Sequence, residues 1–335
     1  MAKFPEINKD AVLNGSFGEE LENYINDHIF GRDAFVTLNA YFDLFMGRNT
    51  AKDIYFGKNG YLINAPADSD TSKFEKSIER FENFSASFDI PSYLLMVPTT
   101  GYIMRDMLPL GHRKYNDDML FDKAYDLTEK IKIVDVREAL TDAKEKEPVC
   151  YRTDHHLTAY GNYTAYAEYL RSVGRKPLKT DDFEIESFDG FCGTTWSGSG
   201  YSLVKGDDIE LWHKDGDITV TILDAGEEEK VSDSLFFREH LNDLDKYPVY
   251  LDGNHSFVKI ENRSAAGGTV LVIKDSYAQC FSTFLAHEYR NVYMIDMRYY
   301  RASISDFINT HDIDEILYMY GVSTLLTDTN SAWIM

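Results

Sequence analysis

The chain has 335 residues, of which 44% are hydrophobic and 14% aromatic, and its formal net charge is −22 at pH 7. This composition supports a sizeable folded core and argues against intrinsic disorder. The negative charge disfavours nucleic acid and anionic membrane surfaces as partners, because both bind through Lys and Arg.

The cysteines and the N-terminal sequence limit the class of protein further. The three cysteines, Cys150, Cys192 and Cys280, exclude a fully paired disulfide framework but leave open one bridge, such as Cys150 with Cys192. No apolar run approaches the roughly 20 residues of a membrane span. The N-terminal stretch MAKFPEINKDAV lacks the apolar core of a signal peptide. We therefore expect a soluble chain from which any native signal or anchor has been removed.

The first fifty residues are predicted to be helical. In the stretch that starts at Gly15, Ser16 can cap a helix that ends at Gly31. Its apolar face would carry Phe17, Leu21, Tyr24, Ile25 and Ile29. The stretch YFGKNGYLIN at 55–64 predicts two short strands, because Lys58-Asn59-Gly60 has the chemistry of a hairpin turn.

Strands and helices alternate through the rest of the chain. Apolar runs predict strands at 93–98, 131–136, 267–276, 291–296 and 315–320. Helical spacing predicts helices at 71–86, from 159 onward, at 277–287 and around 303–309. This alternation indicates a single α/β domain over 1–335, a three-layer α/β/α sandwich with a parallel sheet of about five strands. The stretch 183–265 is rich in Gly, Asp and Ser and is interpreted as a β-rich insertion.

Ser276 is the first candidate for chemistry. It follows the strongest predicted strand and precedes a helix, and ligands bind at the carboxyl ends of strands in a parallel sheet. There the hydroxyl can reach solvent, and the first N–H groups of the helix can stabilise an oxyanion. The alternative is that Ser276 serves only as a helix N-cap, a common role for serine.

The stretch YRTDHHLTAY at 151–160 offers partners for this serine. A serine hydroxyl is a weak nucleophile until a base takes its proton, and a carboxylate commonly orients a histidine base. In an extended Asp-x-His segment, Asp154 and His156 point to the same side, which favours His156 over His155 as the base. The alternative is a solvated loop in which Thr158 caps the next helix.

Asp154, His155 and His156 could instead bind a metal, since imidazole and carboxylate are ligands for zinc, manganese and iron. The triplet resembles the signature of DHH phosphoesterases, which hold two manganese ions and also use an Asp-x-Asp element after an early strand. Asp312-Ile313-Asp314 has that spacing but lies near the C-terminus, before a strand. Because no further ligand motif completes a site, we expect neither a metal nor an organic cofactor.

Several stretches together resemble the DHHW protein family, in the family's order and over nearly the whole chain. YRTDHHLTAYGNYTAY looks like the family signature, and is more distantly similar to the Asp-Thr-His-Trp motif of alginate O-acetyltransferases. The other matching stretches are GSFGEELENYINDHIFGRDAFVTL, YFGKNGYLI, MVPTTGYIMRDMLP, VLVIKDSYAQCF and VYMIDMRYY.

The resemblance implies an SGNH-hydrolase-like, flavodoxin-like fold. It also implies a triad in which Asp154 orients the base, His156 is the base and Ser276 is the nucleophile. The expected activity is O-acetyl transfer to, or acetyl-ester hydrolysis on, a cell-envelope or secreted polysaccharide. An extracytoplasmic location and a membrane-bound acyltransferase partner are implied as well. A polysaccharide-binding protein without activity is a further alternative.

The chain departs from the family pattern in two ways. Leu157 stands where the family signature has Trp, which changes either the packing or a substrate contact beside the base. The Gly and Asn oxyanion donors of ordinary SGNH hydrolases have no evident equivalents. We expect supporting or substrate-binding roles for Asp275, Tyr277, His155, Arg298 and Tyr299. For Arg298, a surface salt bridge is the simpler alternative.

Overall fold

The computed structural model describes residues 32–67 and 70–334, together with Phe17 and Tyr24. Apart from these two residues, the predicted helix at 16–31 lies outside the described ranges. The helices are α1 Arg32–Phe45, α2 Ser72–Ser85, α3 Thr100–Ile103, α4 Asp117–Leu127, α5 Arg137–Ala143, α6 Ala159–Ser172, α7 Thr194–Ser199, α8 Ala278–Leu285, α9 Ile304–Thr310 and α10 Val322–Thr327. The strands are β1 Thr50–Ala51, β2 Ile54–Phe56, β3 Leu62–Asn64, β4 Ser92–Val97, β5 Ile131–Val134, β6 Glu184–Phe191, β7 Asp207–His213, β8 Ile218–Leu223, β9 Lys230–Ser232, β10 Phe257–Asn262, β11 Gly267–Lys274, β12 Tyr289–Ile295 and β13 Glu315–Gly321.

An eight-stranded sheet lies at the centre of the molecule, in the order β5-β4-β13-β11-β12-β10-β8-β9. The first five strands in this order are parallel to one another. The last three continue the sheet in antiparallel pairs. The predicted parallel sheet of five strands is therefore present, and three antiparallel strands extend it.

Strand β11 shows why the sheet is covered on both faces. All its residues from Thr269 to Lys274 are buried. Val270 and Val272 belong to a hydrophobic cluster that includes residues of α6 and α8. Leu271 and Ile273 point the other way, into a cluster that includes residues of α2, α4 and α9. The period of two along the strand thus fills two separate cores, and the predicted three-layer α/β/α sandwich is confirmed.

The stretch 183–265 contributes to two sheets. Strands β6 and β7 form a separate antiparallel pair, whereas β8, β9 and β10 belong to the main sheet. The boundaries of an insertion at 183–265 stay a prediction. The hairpin expected at 55–64 is present, with β2 and β3 antiparallel around a 3-10 turn at Lys58–Gly60.

The carboxyl ends of the parallel strands meet along one edge of the sheet, and the candidate residues gather there. The segments that follow β4, β11 and β13 begin at Pro98, Asp275 and Val322. Cys150, Cys192 and Cys280 are free thiols, and Cys280 is buried in the core. No helix in the described part of the chain is long and apolar enough to cross a membrane.

Candidate active site

Ser276 lies in a tight connection between β11 and α8 that the carboxylate of Asp275 fixes. One oxygen of Asp275 accepts a hydrogen bond from the Tyr277 backbone N–H at 2.9 Å, and the other accepts from the Gly321 N–H at 2.8 Å. Asp275 is buried, whereas Ser276 is partly exposed. A Cβ atom at Gly321 would lie 2.4 Å from the Tyr277 ring, so this packing requires glycine. Asp275 is therefore a positioning residue that presents Ser276 at the sheet edge.

The segment from Cys150 to Leu157 forms a closed loop in front of α6. Its two end residues pair as an isolated antiparallel bridge. Thr158 caps α6 by accepting a hydrogen bond from the Gly161 N–H at 3.0 Å, so the predicted capping role is confirmed and coexists with the side-chain cluster before it. Leu157 is 2% exposed and belongs to the core. Leucine in place of the family Trp therefore changes the packing beneath the loop.

The structure joins Asp154, His156 and Ser276 in one hydrogen-bonded chain. The Nδ1 of His156 lies 2.5 Å from Oδ1 of Asp154, and its Nε2 lies 2.8 Å from the Ser276 hydroxyl. The backbone N–H of His156 also donates to Oδ1 of Asp154, at 2.9 Å. Two residues of one loop and a third residue 120 positions later thus meet as the sequence predicts.

Asp154 is held as a buried carboxylate. Its Oδ2 accepts from both the backbone N–H and the hydroxyl of Thr194, each at 2.8 Å. Burial alone would raise the pKa of Asp154, but His156, His155 and the Thr194 N–H together hold the pKa below its usual range. A Cβ atom at position 193 would lie 2.3 Å from Oδ2 of Asp154, so the close approach requires Gly193. The carboxylate is charged at neutral pH.

Two tyrosine rings fix the plane of the His156 imidazole. Tyr247 stacks on it with ring centroids 3.8 Å apart and an interplanar angle of 7°. Tyr277 meets it edge-on at 5.0 Å and 64°. Both tyrosines are buried. The contacts of Thr194 and Tyr247 were not predicted from the sequence, because both residues lie in the irregular stretch 183–265. The Gly-Thr pair at 193–194 is a local sign that the backbone approaches another group closely there.

His155 stands beside the hydrogen-bonded chain and is not part of it. Thr194 uses its hydroxyl proton on Asp154, so the hydroxyl oxygen accepts from Nδ1 of His155, 2.6 Å away. Burial, followed by the neighbouring His156, lowers the pKa of His155 to about 4, so this ring is neutral at pH 7. Its backbone carbonyl accepts from the Tyr277 hydroxyl at 2.9 Å. His155 supports the loop chiefly through its backbone.

Arg298 belongs to a buried ion-pair network and not to a surface salt bridge. Its guanidinium donates to both oxygens of Asp296, one of which also lies 3.2 Å from the ammonium of Lys274. Asn254 accepts from Arg298 and Lys274, each at 3.1 Å. Tyr299 is half exposed, with its ring centre 5.4 Å from the guanidinium carbon of Arg298. Among the described hydrogen bonds, none joins Arg298 or Tyr299 to the three candidate catalytic residues.

The metal alternative meets a specific obstacle at this site. Asp154, His155 and His156 do bring ligand atoms within 4.8 Å of one another. However, both ring nitrogens of His156 already have partners, and a metal ion would have to displace one of them. Asp314 accepts from the Thr269 N–H near the start of β11, at the opposite edge of the sheet. The Asp-x-Asp element therefore does not join Asp-His-His in one site.

A second group with metal-ligand chemistry lies elsewhere. Glu239, His240 and Asp252 also have ligand atoms within 4.8 Å of one another. The carboxylate of Asp252 is paired with the ammonium of Lys230 at 2.5 Å and with His240 at 2.7 Å. These two contacts already occupy the carboxylate of Asp252.

The backbone around Ser276 offers a site for developing negative charge. Among the described residues, no acceptor is hydrogen-bonded to the Ser276 N–H. The Tyr277 N–H, in contrast, is used on Asp275. A donor aimed from the start of a helix at a reacting carbonyl is the usual element of an oxyanion hole. The arrangement brings together a hydroxyl, an imidazole, a carboxylate and one backbone N–H that has no acceptor among the described residues, which are the groups that acyl transfer through a serine would need.

The chain matches a known protein family. The DHHW protein family matches residues 122–295, more than half of the chain. The chain belongs to the DHHW protein family. No curated protein sequence matches it.

Solved structures share the fold of this DHHW protein. A DHHW family protein from Eubacterium siraeum is 20% identical over 85% of this chain and 95% of its own, with a TM-score of 0.72. Bacillus cereus PatB1, solved with a sulfonyl adduct, is 19% identical over 84% of this chain and 98% of its own, also at 0.72. The O-acetyltransferase domain of Pseudomonas putida AlgJ is 12% identical over 82% of this chain and 93% of its own, at 0.52. At these identities the likeness shows the shared α/β fold.

Proposed function

We propose that this DHHW protein is a serine-dependent carbohydrate O-acetyltransferase or acetylesterase that acts on a cell-envelope or secreted polysaccharide. The observation that carries the proposal is the hydrogen-bonded chain from Asp154 through His156 to Ser276 at the carboxyl edge of a parallel sheet. The fold shared with an O-acetyltransferase domain supports the same class of reaction.

In the first half of the reaction, the Ser276 oxygen attacks the carbonyl carbon of an acetyl ester while Nε2 of His156 takes the hydroxyl proton. The carbonyl oxygen becomes an oxyanion near the free Ser276 N–H. When the tetrahedral intermediate collapses, the bond to the leaving alcohol breaks and His156 returns the proton to that alcohol. The acetyl group is then esterified to Ser276.

In the second half, a sugar hydroxyl or water attacks the acyl-enzyme and gives its proton to His156. The bond to the serine oxygen breaks, and His156 returns the proton to Ser276. Asp154 remains ionised in both halves and stabilises the imidazolium, as its position against Nδ1 requires. No step needs a metal or an organic cofactor.

The proposed setting is extracytoplasmic, with a membrane-bound acyltransferase as the supplier of acetyl groups. This part of the proposal rests on the family resemblance. Reconstitution with a membrane-bound acyltransferase would test it, since transfer to polysaccharide should then require both proteins.

A sulfonyl fluoride tests the nucleophile directly, because it labels an activated serine covalently. We expect one adduct per chain, which peptide mapping should locate at Ser276. The unlabelled protein should turn over a chromogenic acetyl ester, and the adduct should block this turnover. Ser276→Ala should not be labelled, and its rate of ester turnover should fall by several orders of magnitude. Its melting temperature should change little. Ser87→Ala, at an exposed serine near the amino ends of the strands, is the matched control.

Three outcomes would contradict the proposal. Wild-type turnover in Ser276→Ala would remove Ser276 from the mechanism. Activity lost on dialysis against a chelator and restored by manganese would favour the phosphoesterase alternative. Glycan binding without any acetyl-ester turnover would favour a non-catalytic binding protein.

A further inference from the structure

A cleft of about 450 Å³ lies beside the candidate catalytic residues. His155 and Tyr277, the chain neighbours of His156 and Ser276, line it. Thr100 after β4 and Ser323 after β13 also line it, so the cleft lies along the carboxyl edge of the sheet. Its volume is within the range of roughly 300–1,000 Å³ that is usual for small-molecule sites.

The lining of the cleft combines hydroxyl groups with small apolar surfaces. Eight lining residues carry hydroxyl groups, among them Thr71, Thr100 and Ser323, and Asn64 and Asn116 add side-chain amides. Eight further lining residues are apolar, and Ala65, Pro66 and Ala67 stand together among them. The hydroxyl groups at the edge of a sugar ring can form hydrogen bonds with the hydroxyl and amide groups of the cleft. The C–H face of the ring can pack on the apolar lining residues.

The charge inside the cleft is negative. Asp117 is 2% exposed and accepts from the backbone N–H of Thr99 at 2.7 Å and from its hydroxyl at 3.0 Å. The other charged lining residues, Lys52 and Asp53, are exposed at the rim. Among the described lining residues, no buried Lys or Arg therefore compensates Asp117. Burial raises the pKa of Asp117 to about 6, so the carboxyl is mostly ionised at pH 7.

We propose that this cleft binds an uncharged stretch of the glycan that gives or receives the acetyl group, and that it rejects uronic-acid chains. The identification of the ligand as the acyl-carrying sugar rests on the proposed function. The preference for uncharged sugars follows from Asp117, because a carboxylate brought beside a buried carboxylate is strongly disfavoured.

Direct binding tests the inference apart from catalysis. The protein for every measurement carries Ser276→Ala, so that no ester is turned over during titration calorimetry. The probes are a neutral β-glucan oligosaccharide and an oligogalacturonate of equal length at pH 7 and low salt. We expect the Kd of the neutral probe to be lower than that of the oligogalacturonate by roughly tenfold or more. One like-charge contact costs more than about 1.4 kcal/mol of binding free energy, which corresponds to that factor. Asp117→Asn should reduce the difference in Kd between the two probes, because it removes the buried negative charge.

Ser323 allows a matched pair of variants inside the cleft, because it is exposed and its hydroxyl has no hydrogen-bond partner among the described residues. In the Ser276→Ala background, Ser323→Lys should strengthen oligogalacturonate binding, and Ser323→Trp should weaken binding of the neutral probe by filling the space. Ser87→Lys and Ser87→Trp, near the opposite edge of the sheet, are the controls and should change neither affinity.

The outcomes are distinguishable from failure of the proposed function. Tighter binding of oligogalacturonate than of the neutral probe would overturn the inference, as would no binding of either probe. Neutral binding that is insensitive to both Ser323 variants would place the site elsewhere and overturn it too. Failure of the wild-type protein to hydrolyse an acetyl ester would instead count against the proposed function and leave the measured sugar preference standing.

Discussion

The two ring nitrogens of His156 have different roles because their partners differ. Asp154 accepts the proton of Nδ1, which leaves Nε2 as the acceptor for the Ser276 hydroxyl. The stacked Tyr247 keeps the ring in the plane that both contacts need. In the proposed mechanism, this geometry makes His156 a base that is oriented before substrate arrives.

The adjacent histidines should differ sharply when each is replaced by alanine. We expect His156→Ala to lower kcat by about a thousandfold or more, because Ser276 loses its base. His155→Ala should lower kcat only severalfold, since its carbonyl contact to Tyr277 survives the substitution. Steady-state kinetics of both variants on one acetyl ester would check this. An inactive His155→Ala beside an active His156→Ala would identify the other imidazole as the base.

In the proposed mechanism, Thr194 acts through its two hydrogen bonds to Asp154. Thr194→Val keeps the backbone N–H bond to Asp154 but removes the hydroxyl donor, so we expect a fall of about tenfold in kcat with little change in KM. Thr194→Ser retains the hydroxyl and should restore kcat to near the wild-type value. Equal effects of the two substitutions would indicate a steric role.

Sequence reasoning identified the three residues of the hydrogen-bonded chain because residue type and local spacing both point to them. Asp154 and His156 share one short segment, and Ser276 follows a strand made of buried β-branched residues. Thr194 and Tyr247 were not predicted. They lie in loops with no hydrophobic period, and their positions depend on long-range packing that a local pattern does not contain.

At the scale of elements, the strands were predictable where both faces of the sheet are covered. The predicted strand at 93–98 is observed at Ser92–Val97, and the helix predicted from 159 begins at Ala159. Strand β10, in contrast, alternates between buried and half-exposed residues. Its pairing with β12 at the edge of the parallel strands depends on a choice of partner across distant sequence, which alternation alone cannot specify.

The contact between the loop after β4 and the start of α4 should depend on pH. Burial raises the pKa of Asp117 to about 6, so the folded state binds its proton more tightly than the unfolded state does. The contribution of Asp117 to the free energy of unfolding is therefore greatest below about pH 4. It is lost as the pH rises through about 6, and the total loss is up to about 3 kcal/mol. Asp117→Asn should remove this dependence.

Chemical denaturation of wild type and Asp117→Asn at several pH values between 4 and 7 would measure it. The free energy of unfolding of the wild type, relative to the variant, should fall across this range. Parallel profiles would show that Asp117 titrates alike in the folded and unfolded states.

At the scale of the whole molecule, the net charge of −22 opposes compactness. Salt screens this repulsion, since the Debye length falls from about 30 Å at 0.01 M to about 3 Å at 1 M. We expect the melting temperature to rise by several degrees between these limits in sodium chloride, measured by calorimetry. A series of the same concentrations of a neutral osmolyte is the control. It shows how far the melting temperature rises when a solute is excluded from the protein surface without screening charge. A melting temperature that falls with added salt would show that attractive ion pairs outweigh the repulsion.

The order of strands in the main sheet has a consequence for how the protein is made. Strands β4 and β5 are synthesised early, but β4 pairs on its other side with β13, and β11 lies beyond that. Strand β13 must therefore be synthesised before the sheet can close, and His156 is made 120 residues before Ser276. The proposed triad cannot assemble on the early part of the nascent chain, and we expect any activity to begin only after β13 has paired with β4 and β11.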